Sequence, residues 1–169
     1  MIVYTRFESL VGRLQAVLQK NGVKSVRITG TDSEKARDAA QTAFQDLKSD
    51  TRVIFITNAG SEAINLQAAS AMVFYDMPWS WGDYVQILGR MIRIGSPHKG
   101  VLAVHLISER PEGLTRADRK TIDHHVLALL RKKKNLIDRV LGEAAVGALK
   151  FERGEQGARD LVRALQAAV

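Results

Sequence analysis

The sequence predicts an α/β domain, a parallel sheet with helices on both faces. Two observations carry this. Short apolar runs alternate along the chain with amphipathic stretches of helical period, the pattern of repeated β-α-β crossovers. The run Arg52-Val53-Ile54-Phe55-Ile56-Thr57 is apolar without alternating, as suits a strand buried on both faces.

Each element follows from its residues. Ile2-Val3-Tyr4-Thr5 reads as a short buried strand. Leu10, Leu14, Val17 and Leu18 recur at helical spacing, and Asn21-Gly22 closes that helix. Val26 to Thr29 is a second strand ending at Gly30. Asp32 or Ser33 caps a second helix, with Ala36, Ala40, Ala43, Phe44 and Leu47 on its inner face. Arg52 to Thr57 is the third strand, and a turn through Asn58 and Gly60 leads to a short helix near Ile64 to Ala69. Ala71 to Tyr75 is a fourth strand and Val101 to Ile107 a fifth. Between them QILGRMIRIGS, residues 86–96, reads as a helix stopped by Gly95 and Pro97. After the loop at Pro111 a long helix from about Ala117 to Leu141 carries an apolar stripe of Ile122, Val126, Leu129, Leu130, Leu136, Ile137, Val140 and Leu141. A looser stretch, Gly142 to Gly154, precedes a final amphipathic helix with Leu161, Val162 and Leu165.

With 169 residues the chain is long enough for one ordinary core. It has no cysteine, which excludes a disulfide framework, thiolate metal sites and a thiol nucleophile, and fits a reducing cytoplasmic setting. No apolar run approaches the ~20 residues of a membrane span, so no membrane partner is expected. MIVYTRF lacks a signal-peptide pattern and begins at once as a strand, which leads us to expect further chain upstream. The net charge of +7 favours a polyanionic partner, most simply nucleic acid. Part of that excess is the run Arg131-Lys132-Lys133-Lys134, which reads as the solvated face of a helix or a contact to DNA.

In parallel sheets ligands bind at the carboxyl ends of the strands. Thr5-Arg6, Gly30-Thr31, Thr57 to Gly60 and Asp76 should converge there, with helix N-termini just beyond. The same spacing also fits ordinary turns. The stripe Gln86, Arg90, Arg93 at i, i+4 and i+7 is more telling. Planar, permanently charged guanidinium groups one turn apart suit a polyphosphate, although a solvated basic stripe has the same spacing. Trp79 and Trp81 read as packing at the base of this helix. There is no G-x-x-x-x-G-K-[ST], no HExxH and no G-x-S-x-G. His124 and His125 are adjacent and diverge on a helix, so no metal site is readable.

These motifs resemble those of the second RecA-like lobe of superfamily-two helicases, specifically Swi/Snf-related DNA translocases. TNAGSEAINLQAAS resembles motif V, VFYDMPWSWGDYVQILGRMIRIG the run into motif VI, IVYTRF motif IV, VRITGTD the strand and turn between, and TIDHHVLALLRKKKNLIDRVLG the trailing helix. The resemblance covers about residues 1–142. It implies a RecA-like lobe over residues 1–110, a trailing helix over 111–142, and a linker with a C-terminal helix over 143–169. It implies that Arg90 and Arg93 are the catalytic arginines reaching ATP from across a cleft, with Gln86, Gly60 and Asn65 also in the nucleotide-binding set. Thr5, Arg6, Gly30, Thr31, Thr57 and Asn58 fall where backbone contacts to duplex DNA lie. Ala63, Glu62, Thr29, Ser80-Trp81 and His124 depart from the family pattern, towards a bacterial or phage-like branch.

The resemblance also implies a partner. A first RecA-like lobe, in the same or a neighbouring chain, would hold the P-loop, ATP and Mg2+, none of which this chain is expected to hold alone. The isolated chain is therefore expected not to turn over ATP. The competing reading is a stand-alone, non-catalytic module that binds nucleic acid or protein.

Overall fold

A computed structural model describes residues 1–60, 64–93, 96–98, 100–110 and 120–141, with side chains to 136 in the last stretch. The elements are β1 (Ile2–Tyr4), α1 (Glu8–Lys20), β2 (Lys24–Ile28), α2 (Glu34–Gln45), β3 (Thr51–Ile56), β4 (Ala71–Phe74), α3 (Trp81–Leu88), β5 (Leu102–His105) and α4 (Ile122–Leu141). All five strands are parallel, in the order β2-β3-β1-β4-β5. The chain steps outward from β1 to β2, returns through β3, and crosses β1 to reach β4. That crossing makes β1 central and brings the ends of β3 and β4 to its two sides.

Side chains alternate across the sheet, so each strand serves two cores. Ile2, Tyr4, Ile54, Ile56, Met72 and Phe74 pack with Phe44 of α2, Trp81, Tyr84 and Leu88 of α3, and Val126 and Leu130 of α4. Val3, Val53, Phe55 and Val73 meet Val11, Leu14 and Leu18 of α1 on the opposite face. The helix boundaries have local causes. Ser33 caps α2 by accepting from the Ala36 N–H, and Ser80 caps α3 by accepting from the Asp83 N–H. Gly22, at φ +75°, takes the left-handed conformation that stops α1.

Four expectations need correction. Residues 64–69 form no helix. The QILGRMIRIGS helix ends at Leu88 rather than at Gly95, with Gly89 at its C-cap; Arg90 and Met91 follow in tight turns bonded to Ile87 and Leu88. Arg93 therefore stands outside the helix. In α2, Ala36 is exposed and Leu47 lies beyond the end at 67% exposure, while Ala40 and Phe44 carry the burial. In α4, Val126 and Leu130 are buried, but Ile122, Leu129 and Leu136 are exposed; Lys132 and Lys133 are solvated, in line with the solvated-face reading. The predicted helix start before Lys120, the stretch from Gly142 and the final helix lie outside the described residues, as do the side chains of Ile137, Val140 and Leu141.

Two features make measurable statements about this core. The loop after β3 lies directly on the end of β2: a Cβ built on Gly60 would stand 2.3 Å from the Ile28 carbonyl oxygen. Backbone on both sides leaves no room to give. We expect Gly60→Ala to lower stability by about 2 kcal/mol or more, read by urea melts; a melt like the wild type would show that the loop is not so seated. On β5, the His105 ring stacks on Phe74 at 5.1 Å and its Nε2 lies 3.0 Å from the Tyr84 hydroxyl. Burial, and secondarily the charge of Arg131, hold its pKa down at about 4. Below about pH 6.5 the unfolded chain takes up a proton here that the folded chain refuses. Stability should fall as pH drops from about 6.5 to about 4, by up to about 3 kcal/mol. His105→Gln should flatten that slope in pH-dependent melts, and an unchanged slope would count against the half-buried neutral imidazole.

Candidate nucleotide and nucleic-acid site

Three threonines end three adjacent strands. Thr29, Thr57 and Thr5 follow β2, β3 and β1 in register, and all are buried, at 0, 4 and 0% exposure. By alternation they face the side that α1 covers. The outer two give their hydroxyls to carboxylates. Thr5 Oγ1 donates to Asp76, which also accepts from the Arg6 N–H at 3.0 Å. Thr29 Oγ1 donates to Asp32 at 2.8 Å, and the Thr29 N–H does so at 2.7 Å. The Thr31 hydroxyl donates to Glu8, the first residue of α1. Among the described residues no hydrogen bond reaches Thr57 Oγ1 in the middle of the row.

The edge is basic and aromatic as well. The Arg6 guanidinium lies over the Phe7 ring at 5.4 Å and the Trp79 ring at 5.3 Å, with Asp76 at 3.8 Å. Phe7 and Trp79 are each 51% exposed. The two tryptophans expected to pack together thus separate: Trp81 is buried against Tyr84, and Trp79 faces solvent over Arg6. Asn58 Oδ1 accepts from the Tyr4 hydroxyl at 2.6 Å, which pins the loop after β3 to β1. The six residues matched to DNA contacts (Thr5, Arg6, Gly30, Thr31, Thr57 and Asn58) therefore share one edge of three neighbouring strands. Of their hydroxyls, those of Thr5 and Thr31 are already engaged.

The second part of the site is residues 64–69. With no helix or strand of its own, this stretch must find partners for its backbone elsewhere. The Asn65 N–H donates to Gln41 Oε1 at 3.3 Å and the Ala68 N–H to Gln45 Oε1 at 2.9 Å. The Leu66 N–H donates to the Arg90 carbonyl at 2.9 Å. Ser96 Oγ donates to the Gln67 carbonyl at 3.4 Å, and His98 Nε2 lies 3.1 Å from the Ala68 carbonyl. The stretch is laced between α2 and the turn that carries Arg90. On α2, Arg37 continues the same stripe at i−4 from Gln41, donating to the carbonyls of Asp32 and Gly30 at 3.0 and 3.1 Å.

Gln41 and Gln45 did not stand out in the sequence. Their one signal was polar residues at i and i+4 on the face that also carries Ala40 and Phe44. Arg90 is half-buried, and no hydrogen bond among the described residues reaches its Nε or the buried Asn65 Oδ1. Arg93 and Gln86 are exposed. Gly60 is seated on the end of β2. Among the described residues there is no cluster of three metal-ligating groups, and no helix is long and apolar enough to cross a membrane.

Comparison with known proteins identifies the family and the fold. Residues 1–95 match the helicase conserved C-terminal domain. The ATP-dependent helicase YqhH of Bacillus subtilis is 32% identical over 143 residues, 85% of this chain and 23% of the relative. Helicase ssl-1 of Caenorhabditis elegans is 28% identical over 95% of this chain and 6% of its own length. DNA repair protein rad8 of Schizosaccharomyces pombe is 26% identical over 84% and 12%. The chain thus spans less than a quarter of each of these relatives. Among solved structures, the C-terminal part of the Fun30 ATPase domain superposes with a TM-score of 0.64 at 19% identity, over 85% of this chain and 48% of that one. The Escherichia coli DEAD-box protein SrmB does so with a TM-score of 0.61 at 21% identity, over 78% and 68%. Both share the parallel sheet of a RecA-like helicase C-terminal lobe. Relatives of this chain include ATP-dependent helicases, as the motifs led us to expect. The chain belongs to the helicase conserved C-terminal domain family.

Proposed function

We propose that the chain is the second motor lobe of an ATP-dependent DNA helicase or translocase, with its RecA-like core over residues 1–110 and a trailing helix beyond. One observation carries the reading. Thr57 Oγ1, Asn65 Oδ1 and Arg90 Nε, all at positions matched to motifs V and VI, are buried polar atoms without partners among the described residues. Such groups cost about 1–3 kcal/mol each when left unsatisfied, so a fold that keeps three of them across the two parts of the candidate site reserves them for something outside.

ATP and Mg2+ would be held mainly by a first lobe carrying the P-loop, a motif this sequence does not contain. The residues here fit the remaining task. Arg90 and Arg93 would approach the terminal phosphates from the far side of the cleft and offset the charge that develops there. Gln86 sits a turn before Arg90. The edge of Thr5, Arg6, Gly30, Thr31, Thr57 and Asn58 would grip the DNA backbone, with Trp79 offering an aromatic face beside it. The net charge of +7 suits that partner. Because the Leu66 amide is bonded to the Arg90 carbonyl, a shift of the loop after β3 on DNA would be felt at the arginines.

The test fuses this chain to the P-loop lobe of the Bacillus subtilis relative. The isolated chain should show no ATP turnover and the fusion DNA-stimulated turnover. Arg90→Ala or Arg93→Ala should each cut kcat by about a thousandfold while leaving DNA affinity nearly unchanged. Turnover by the isolated chain, or a fusion active without either arginine, would contradict the proposal. In a stand-alone binding module both arginines would be dispensable.

A further inference from the structure

Glu8 is placed oddly for a lobe that grips a polyanion. It opens α1, whose N-cap, Phe7, supplies no side-chain acceptor, so no side chain caps the head of this 13-residue helix, although the Leu10 N–H donates to the Phe7 carbonyl at 3.0 Å. The Phe7 N–H donates to Thr5 Oγ1 beside β1, while the Glu8 carboxylate reaches Thr31 Oγ1 and lies 3.0 Å from Thr29 Oγ1 beside β2. The helix start therefore straddles β3, which lies between those two strands. Below it is Thr57, on the same face as Val53 and Phe55, 4% exposed and with no partner for its hydroxyl among the described residues. One strand over from the unpartnered Thr57 hydroxyl, the Thr31 hydroxyl, with that of Thr29 close by, and a helix N-terminus thus meet at the Glu8 carboxylate. Its neighbour Asp32 is balanced by Arg27 at 3.5 Å, but among the described residues no Lys or Arg lies within ion-pair distance of Glu8. An anion held by the Thr31 hydroxyl and a helix dipole, without a counter-cation, is bound as a phosphate would be.

We propose that Glu8 is an internal stand-in for a nucleic-acid phosphate: its half-exposed carboxylate occupies the donors at the head of α1, a DNA phosphate must displace it, and it thereby sets this lobe's affinity for DNA. The proposal rests on the nucleic-acid reading of this edge. Two anions cannot share the same donors, and a glutamate side chain can rotate out to solvent. The competing carboxylate makes engagement conditional, so the lobe releases DNA more readily than a permanently open seat would.

The test is binding of a short fluorescent duplex DNA by the 169-residue chain at low salt, read by anisotropy. Glu8→Gln should bind roughly tenfold tighter than wild type, the ratio that one charge-assisted hydrogen bond corresponds to. Glu34→Gln removes the same charge from the exposed first turn of α2 and should change affinity less than about twofold. If Glu8→Gln fails to fold, as judged by thermal melts, Glu8→Asp, a methylene shorter and still charged, should also bind more tightly. Binding by Glu8→Gln no tighter than by Glu34→Gln, or weaker than wild type, would make Glu8 a structural latch and overturn the proposal. No binding by the wild type or any variant would instead sink the nucleic-acid reading, and this proposal with it.

Discussion

A stretch of backbone with no secondary structure of its own, residues 64–69, ties the two halves of this lobe together. Its amides cannot be left bare beside the core, where Ile64, Leu66 and Ala69 are buried. They are satisfied by two glutamines of α2 on one side and by the turn carrying Arg90 on the other. This arrangement fixes the height of the Arg90 turn above the sheet. It also requires α2 to present polar groups at i, i+4 and i+8, and the stripe Arg37, Gln41, Gln45 does so. At its first position that stripe holds the turn after β2, and at its last two the stretch after β3. The candidate phosphate contacts and the candidate arginine thus hang from one rigid helix.

The carboxyl edge shows a related economy. Asp76, Asp32 and Glu8 hold the hydroxyls of Thr5, Thr29 and Thr31, so acidic groups organise a surface whose expected partner is itself acidic. Two of the three are offset by nearby cations, Arg6 for Asp76 and Arg27 for Asp32. The Arg6 guanidinium, set over two exposed aromatic rings, keeps its planar face ordered without burying its charge. The edge is therefore shaped by its own ion pairs before any ligand arrives, a form of preorganisation that lowers the ordering cost of binding.

The strands were legible because parallel strands buried on both faces must be continuous apolar runs, and Val53 to Ile56 and Ala71 to Phe74 are such runs. The caps at Ser33 and Ser80 and the stop at Gly22 were readable from local rules or follow them directly. What failed did so for tertiary reasons. Ile64 to Ala69 has helical spacing, but its amides are drawn to Gln41, Gln45 and Arg90, and these contacts outweigh local preference. Arg93 keeps a helical spacing from Gln86, yet the helix ends at Gly89, because the Arg90 carbonyl is needed by Leu66. Gln41 and Gln45 look like surface residues in a sequence, since nothing local shows that an irregular backbone will pass beside them. Trp79 and Trp81, two apart, looked equivalent, and the cap at Ser80 turned one inward and the other outward.

The most direct measurement is native-state amide hydrogen exchange at Asn65, Leu66 and Ala68. If their amides are bonded as described, all three should exchange far more slowly than an exposed loop. Replacing Gln41 or Gln45 by Ala should release the amide it holds and loosen Leu66 with it. Exchange at loop-like rates in the wild-type chain would contradict the account, because the Arg90 turn would then have no fixed support.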